Sequence, residues 1–344
     1  MIARRQRGIT LVEMMIAITV GLILIAGIVQ LFVSNKKAYR IQEAANVLNE
    51  NARYAANQIE YHLRMADHWG GVKATDVTID PGLIALAADC KPQSPMVSAT
   101  GLQGFDGTGA SSPLPCIPDA DYAANTDLIA LHFGGPLRVP SDAGAGSVAK
   151  DGTTLYIRAA VGRRAMIFNG QNIATLPGDL YDPADKDPDP IANYSYNAVV
   201  YFIRKCASQD RGAAGVCDAA DDTIPTLTRL VLKGNNLVQE DLVAGVEQMQ
   251  LSYGVDTNGD RSVDQYQNAT EVTAANNWPN VVAVRLSLVV RNTELDVGYT
   301  DTNTYQLLGG GGGTTIAYTP PADVQHYHRK LFNFTVQVRN TTRG

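Results

Sequence analysis

The chain has 344 residues, 45% of them hydrophobic, and a formal net charge of −6. That length and composition suit one or two globular domains with a sizeable core and exclude a disordered chain. The acidic balance argues against nucleic-acid binding through phosphate contacts.

Charge is unevenly placed from the start. Arg4, Arg5 and Arg7 precede a long apolar run, and no acidic residue does. From Met14 to Val33 only Thr19 and Gln30 are polar. About twenty such residues span a bilayer as a helix, and the arginines before them predict a cytoplasmic N-terminus. A secretory signal has a shorter apolar core followed by a small-x-small cleavage site, whereas this run continues into a helical pattern. Glu13 stands at its head. A carboxylate there is costly in a membrane, so it either snorkels to the headgroups or has a function.

Beyond the apolar run, Ala38, Ile41, Ala45, Leu48, Ala52, Ala55, Ile59, Leu63 and Ala66 recur at steps of three and four, with Lys, Glu, Asn, Gln and Arg on the other faces. This is an amphipathic stripe of helical period. Trp69-Gly70-Gly71 is its expected end, since glycine is the usual stop. A helix from Ile9 to about Trp69 is on the order of 90 Å long at ~1.5 Å per residue. Its outer half is expected to dock on a sheet.

After Gly71 short alternating segments separated by turn residues predict strands at Leu128–Phe133, Thr154–Ala160, Ala198–Arg204, Thr228–Leu232, Val246–Val255, Val281–Arg291 and Phe332–Arg339. Gly309–Gly313 lacks the Lys-Ser/Thr of a phosphate loop and reads as a flexible surface loop. The four cysteines, Cys90, Cys116, Cys206 and Cys217, lie in no CxxC. Downstream of a membrane segment they favour two disulfides in an oxidising compartment, most simply Cys90–Cys116 and Cys206–Cys217.

Two other constellations carry chemistry. Asp256, Asn258, Asp260 and Asp264 place oxygen ligands at alternate positions, as in the first part of a calcium loop. Arg261 stands where glycine makes the turn and Gln267 where a bidentate Glu belongs, so the competing reading is an Asn258-Gly259 hairpin turn. His326-x-His328 ligates a metal only with partners from elsewhere. No HExxH and no GxSxG is present, which points away from an enzyme.

The string Gly8-Ile9-Thr10-Leu11-Val12-Glu13, after a basic leader and before an apolar helix, resembles the processing signal of the type IV pilin family. The resemblance implies cleavage after Gly8 by a prepilin peptidase, N-methylation of Ile9, and Glu13 as the fifth mature residue, able to pair with the amino group of Ile9. Further on, Arg204, Pro225–Arg229, Leu242–Gly254, Trp278–Leu288 and Phe332–Asn340 resemble the minor pilins of the PilW family, as does the helix end Asn51–Ala66. The likeness is weak between residues 72 and 195. It implies an α+β protein: a leader at 1–8, a transmembrane and fibre-core helix half at 9–33, an amphipathic half at 34–70, and a β-rich, mainly antiparallel periplasmic head at 71–344. The implied role is priming of pilus assembly from the inner membrane, with other minor pilins, the major pilin and a tip adhesin as partners. A type II secretion pseudopilin of the J class shares these features. A membrane-anchored calcium-binding or adhesive domain that never polymerises is the alternative of a different kind.

Overall fold

A computed structural model describes residues 8–83, 96–141, 146–177, 180, 191–207, 216–218, 221–234, 236–338 and 340. The chain divides into two compact units, Met1–Val47 and Leu48–Gly344. A single helix, α1 (Leu11–Met65), carries the apolar run and the amphipathic stripe.

In the first unit most apolar side chains of the helix are exposed. Leu22, Ile23, Ile28, Leu31 and Phe32 are all more than half exposed. None of its most apolar stretch is buried. By length and composition the helix can cross a membrane.

The second unit is the head. The strands are β1 (Val77–Ile79), β2 (Leu102–Phe105), β3 (Leu128–Val139), β4 (Leu155–Ala160), β5 (Arg164–Asn169), β6 (Ala192–Arg204), β7 (Thr226–Lys233), β8 (Asn236–Ala244), β9 (Val246–Val255), β10 (Gln265–Gln267), β11 (Val281–Arg291), β12 (Tyr305–Leu308), β13 (Thr315–Tyr318) and β14 (Arg329–Gln337), with a short helix α2 (Ala269–Ala274) between β10 and β11. All seven predicted strands are present. The larger, eight-stranded sheet runs β1-β5-β4-β6-β3-β2 and branches at β6, which also pairs β7, itself paired with β8. The branch arises because the first part of β6 pairs β4 while its second part, Val199–Arg204, pairs β7. The smaller sheet runs β10-β9-β11-β14, and β12 and β13 form a separate hairpin. Apart from the parallel β1–β5 pair, every pairing among the described residues is antiparallel.

The outer half of α1 supplies the seam of the core. Leu48, Ala52, Ala55, Ile59, Leu63 and Ala66 are buried with Ile129, Leu131 and Tyr201 of the larger sheet and Met249, Leu251 and Leu286 of the smaller one. Alanines at three of these positions let the sheets come close to the helix axis, and the aliphatic residues between them fill the spaces. The predicted stripe is therefore the buried face from Leu48 onward, whereas Ile41 is 44% exposed. A second cluster covers the opposite face of the larger sheet, with Leu128, Ala130, Val200 and Phe202 against Trp69, Met96 and Leu114.

The helix ends at Met65, earlier than the glycines suggest. Asp67 takes a left-handed conformation at φ 62°, and the Asn340 side-chain amide donates to the carbonyls of Arg64, Met65 and Ala66. These carbonyls would otherwise be unpaired at the helix end. The early turn lets Trp69 swing under the larger sheet, where it is 1% exposed. A distant residue thus sets a boundary that local glycines do not.

Buried polar groups tie the head together. Arg329 bonds both oxygens of Glu247, at 2.5 and 3.1 Å, and Asp301 at 3.4 Å, fixing the ends of β9 and β14. Asp127 accepts from the N–H groups of Gly107 at 3.0 Å and Leu251 at 2.7 Å, stitching the two sheets. Burial nevertheless pushes the Asp127 carboxyl up to about 8, against the pull of those two bonds. Its ordinary value is near 3.8, so the folded state holds a proton that the unfolded chain releases across this window. Stability contributed by the protonated form is present at low pH and is lost as pH rises toward about 8. Asp127→Asn removes this titration. Relative to the variant, the full chain in detergent is expected to lose stability steadily between about pH 4 and 8; parallel denaturation curves at every pH would contradict this.

Candidate functional site

The N-terminal segment combines the glycine expected to precede a cleavage site, a helix start and an exposed apolar rod. Gly8 and Ile9 are exposed ahead of α1, and a Cβ built on Gly8 meets nothing within 4 Å. The backbone there is open to an approaching protease. Immediately after it, Thr10 and Glu13 bind each other reciprocally. The Thr10 N–H and hydroxyl donate to Glu13 Oε2 at 3.0 and 2.9 Å, and the Glu13 N–H donates to Thr10 Oγ1 at 3.2 Å. This is a capping box, which satisfies N–H groups left unpaired at a helix start and sets a negative charge at the positive end of the helix dipole. The Thr-x-x-Glu spacing that signals it is visible in the sequence, and it gives Glu13 a local role alongside any pairing with a new α-amino group.

Of the cysteines, Cys206 and Cys217 form a disulfide. The Cys217 N–H donates to Asp121 Oδ1 at 2.6 Å, and the buried Arg204 guanidinium approaches the same oxygen at 3.3 Å. The disulfide is thereby joined to the end of β6. Cys90 lies outside the described residues, so the pairing expected with Cys116 does too.

The Asp256–Asp264 loop connects β9 and β10, which pair antiparallel with Gln265 opposite Val255. The turn expected at Asn258-Gly259 is there, with Gly259 at φ 82°. Asp256 accepts from the N–H groups of Asn258, Gly259 and Arg261 at 2.7–3.1 Å. Asp264 accepts from the Thr257 N–H and hydroxyl, both at 2.7 Å, and from Asn258 Nδ2 at 3.0 Å. Asp260 accepts from the Ser262 N–H at 2.8 Å. The carboxylates thus face the loop's own donors: desolvation raises Asp256, but three backbone N–H groups together hold it below the usual carboxylate range, and Ser262 holds Asp260 below it too. Among the described residues no group of three His, Cys, Asp or Glu side chains is arranged to hold a metal. His326 and His328 lie apart from this loop: Nδ1 of His326 contacts the Tyr299 carbonyl at 2.6 Å, and Nε2 of His328 contacts Asp296 at 3.1 Å.

The glycine run departs from expectation. Gly309 and Gly310 are buried, and the Gly312 N–H donates to both oxygens of Glu271, at 2.9 and 3.0 Å. Glu271 also accepts from the Asn268 N–H at the start of α2. One carboxylate pins a segment that composition alone describes as free.

An exposed apolar helix with a capped, acidic start, continuing into the core of an antiparallel β-head, defines a type IV pilin-like protein. Residues 3–29 match the prokaryotic N-terminal methylation motif, and residues 200–340 match the family described as Type IV Pilus-assembly protein W. Over residues 200–340 the chain is thus similar to this family of pilus-assembly proteins. No curated protein matches it. Among solved structures, a type IV-like pilin from Thermus thermophilus aligns at 10% identity over 86% of this chain and 96% of that one, with a TM-score of 0.35. The arginines that open or sit within the family segments have separate tasks here: Arg204 holds Asp121, Arg229 holds Glu240, and Arg285 lies over the ring of Tyr266.

Asp256→Ala is expected to lower the melting temperature of the head in calcium-free buffer, because three backbone N–H groups lose their acceptor. A loss that appears only when millimolar calcium is present would assign this carboxylate to an ion instead.

Proposed function

We propose that this chain is a priming subunit of a type IV pilus. A prepilin peptidase cuts it after Gly8 and methylates Ile9. The mature protein waits in the inner membrane on the Met14–Val33 segment, N-terminus cytoplasmic and head periplasmic, and then enters the fibre. The Cys206–Cys217 disulfide supports a head on the oxidising side. Other minor pilins and the major pilin are its partners, and a tip complex carrying an adhesin is its place in the fibre. The observation that carries this reading is Glu13, fixed by Thr10 one turn from the scissile glycine at the head of an unburied apolar helix.

The chemistry of assembly follows from that position. Cleavage creates a positive α-amino group on Ile9, close to the Glu13 carboxylate. Two opposite charges moving out of headgroup water into a packed fibre need each other, because an unpaired buried charge is strongly unfavourable. The pair gives an otherwise uniform apolar helix a longitudinal register. Thr10 orients the carboxylate before the partner arrives.

Three substitutions test the parts separately. Replacing Gly8 with a bulky residue such as Phe is expected to leave the chain at its unprocessed mass; mass spectrometry showing normal cleavage would refute the role of the open backbone. Glu13→Gln keeps an oxygen acceptor for Thr10 but removes the charge. It should be processed normally yet be absent from sheared fibres, as should Glu13→Val. Incorporation of Glu13→Gln at the wild-type level would show that the capping bonds, not the charge, are what the fibre requires.

A further inference from the structure

The edge strands of the head are of two kinds. Among the described residues β1, β2, β10, β12 and β13 each pair one strand and are three or four residues long. Shortness is a common way to keep an edge from pairing with another chain. β8 and β14 also pair one strand each, yet both are nine residues long. β14 matches β11 through nine consecutive pairs without a bulge. The bonds from the Val338 N–H to the Val282 carbonyl and from the Asn292 N–H to the His328 carbonyl fix which residues face β11. Alternation along the ladder then turns the backbone N–H and C=O groups of Leu331, Asn333, Thr335 and Gln337 outward. The side chains of Asn333, Thr335 and Gln337 are exposed, and Phe332 and Phe334, stacked 6.4 Å apart, are only partly buried beside the core.

The two long edges flank the outer half of α1 on opposite sides. Lys330 Nζ donates to Asn49 Oδ1 at 2.9 Å, and Asn51 Nδ2 donates to the Ala244 carbonyl at 3.2 Å. Residues two apart on a helix point about 200° apart and stand ~3 Å apart along its axis. The start of β14 and the end of β8 therefore sit at one level, on opposite flanks. From there β14 runs along α1 toward its end, where Asn340 bonds the Met65 carbonyl. β6 runs the other way, since Tyr196 stacks on Trp69 while the Tyr201 hydroxyl, further along the strand, donates to the Gln58 carbonyl. β8 shares the direction of β6, because both are antiparallel to β7.

Identical chains anchored in one membrane stand the same way up. β14 of one copy and β8 of its neighbour are then level and antiparallel, an arrangement in which two strands pair. Charge favours this pair over like with like. Two β8 strands side by side would bring Glu240 and Asp241 against their own copies, which is unfavourable, whereas the exposed residues of β14 include Lys330 and no acid. We propose that β14 takes β8 of a second copy of this chain as an added strand, so that heads join edge to edge in a row. The contact is heterologous, each copy using a different edge on either side, and so it extends beyond a dimer. The added strand covers Phe332 and Phe334 and gives the outward residues of β14 backbone partners. The proposal rests on the anchored reading above, but not on cleavage or on entry into a fibre.

The test uses the full chain in membranes of cells that lack other pilus proteins. Two forms are expressed together, one with Thr335→Cys or Gln337→Cys on β14 and one with Gln239→Cys on β8, and the membranes are oxidised with copper phenanthroline. No described cysteine is free to compete. A mixed disulfide-linked dimer is expected, and a chain carrying both Gln239→Cys and Gln337→Cys should give a ladder of higher multimers. Thr335→Pro removes only an outward N–H, which an edge strand tolerates. The head should therefore melt as wild type, and the crosslink through Gln337→Cys should be lost. Absence of the mixed dimer at both β14 positions, Gln337→Cys chains joined chiefly to each other, or a crosslink that survives Thr335→Pro would each overturn the proposal. A chain absent from the membrane fraction would overturn the anchored reading and this proposal with it, whereas normal anchoring without crosslinks would overturn this proposal alone.

Discussion

The face of α1 from Leu48 to Ala66 is the surface against which the head is built. Its alanines bring two sheets close to one helix, and its leucines and isoleucine interlock with residues from both. Burying such a face contributes roughly 25 cal/mol for each Å² removed from water, and close packing makes the contact specific in shape as well. The two sheets share no strand. What joins them is this seam, together with bonds such as those from Asp127 to Gly107 and Leu251. The same helix therefore serves as the organising element of a folded head while offering nothing to bury its first half. That asymmetry is what an anchored fibre subunit requires.

Charges placed at risk are given partners, some local and some distant. Glu13 is held by Thr10 before it meets any intermolecular partner. Glu247 is shared by Arg329 and Arg291. Asp256 and Asp264 close their own loop. Buried or semi-buried charges are destabilising when unpaired; Glu13, Asp256 and Asp264 meet that constraint with donors from a few residues away, and Glu247 meets it with arginines from distant strands.

Much of the N-terminal third was legible because its signals are local and periodic. A twenty-residue apolar run, a stripe at steps of three and four, and a glycine before an apolar-acidic string need no knowledge of the fold. Thr10-x-x-Glu13 was equally legible as a cap, though Glu13 alone drew attention as a charge. The seven strands read from alternation were the long, apolar ones. Those that escaped notice, such as β1, β2 and β12, are three or four residues long, and β8 is partly exposed along most of its length. Short strands carry too few alternations to stand out from turns.

The sequence by itself determined the class of the protein: a membrane-competent helix behind an N-terminal methylation motif, leading into an antiparallel head whose second half is similar to a known pilus-assembly family. Only the tertiary structure decided where the helix ends, because Asn340 caps it from the far end of the chain. It alone placed Glu271 on the glycine turn and Arg285 on Tyr266. Periodicity encodes which face of an element avoids water, a property of neighbours along the chain. The pairing of one particular donor with one acceptor a hundred or more residues away depends on how the sheets close around α1, and no local pattern carries that.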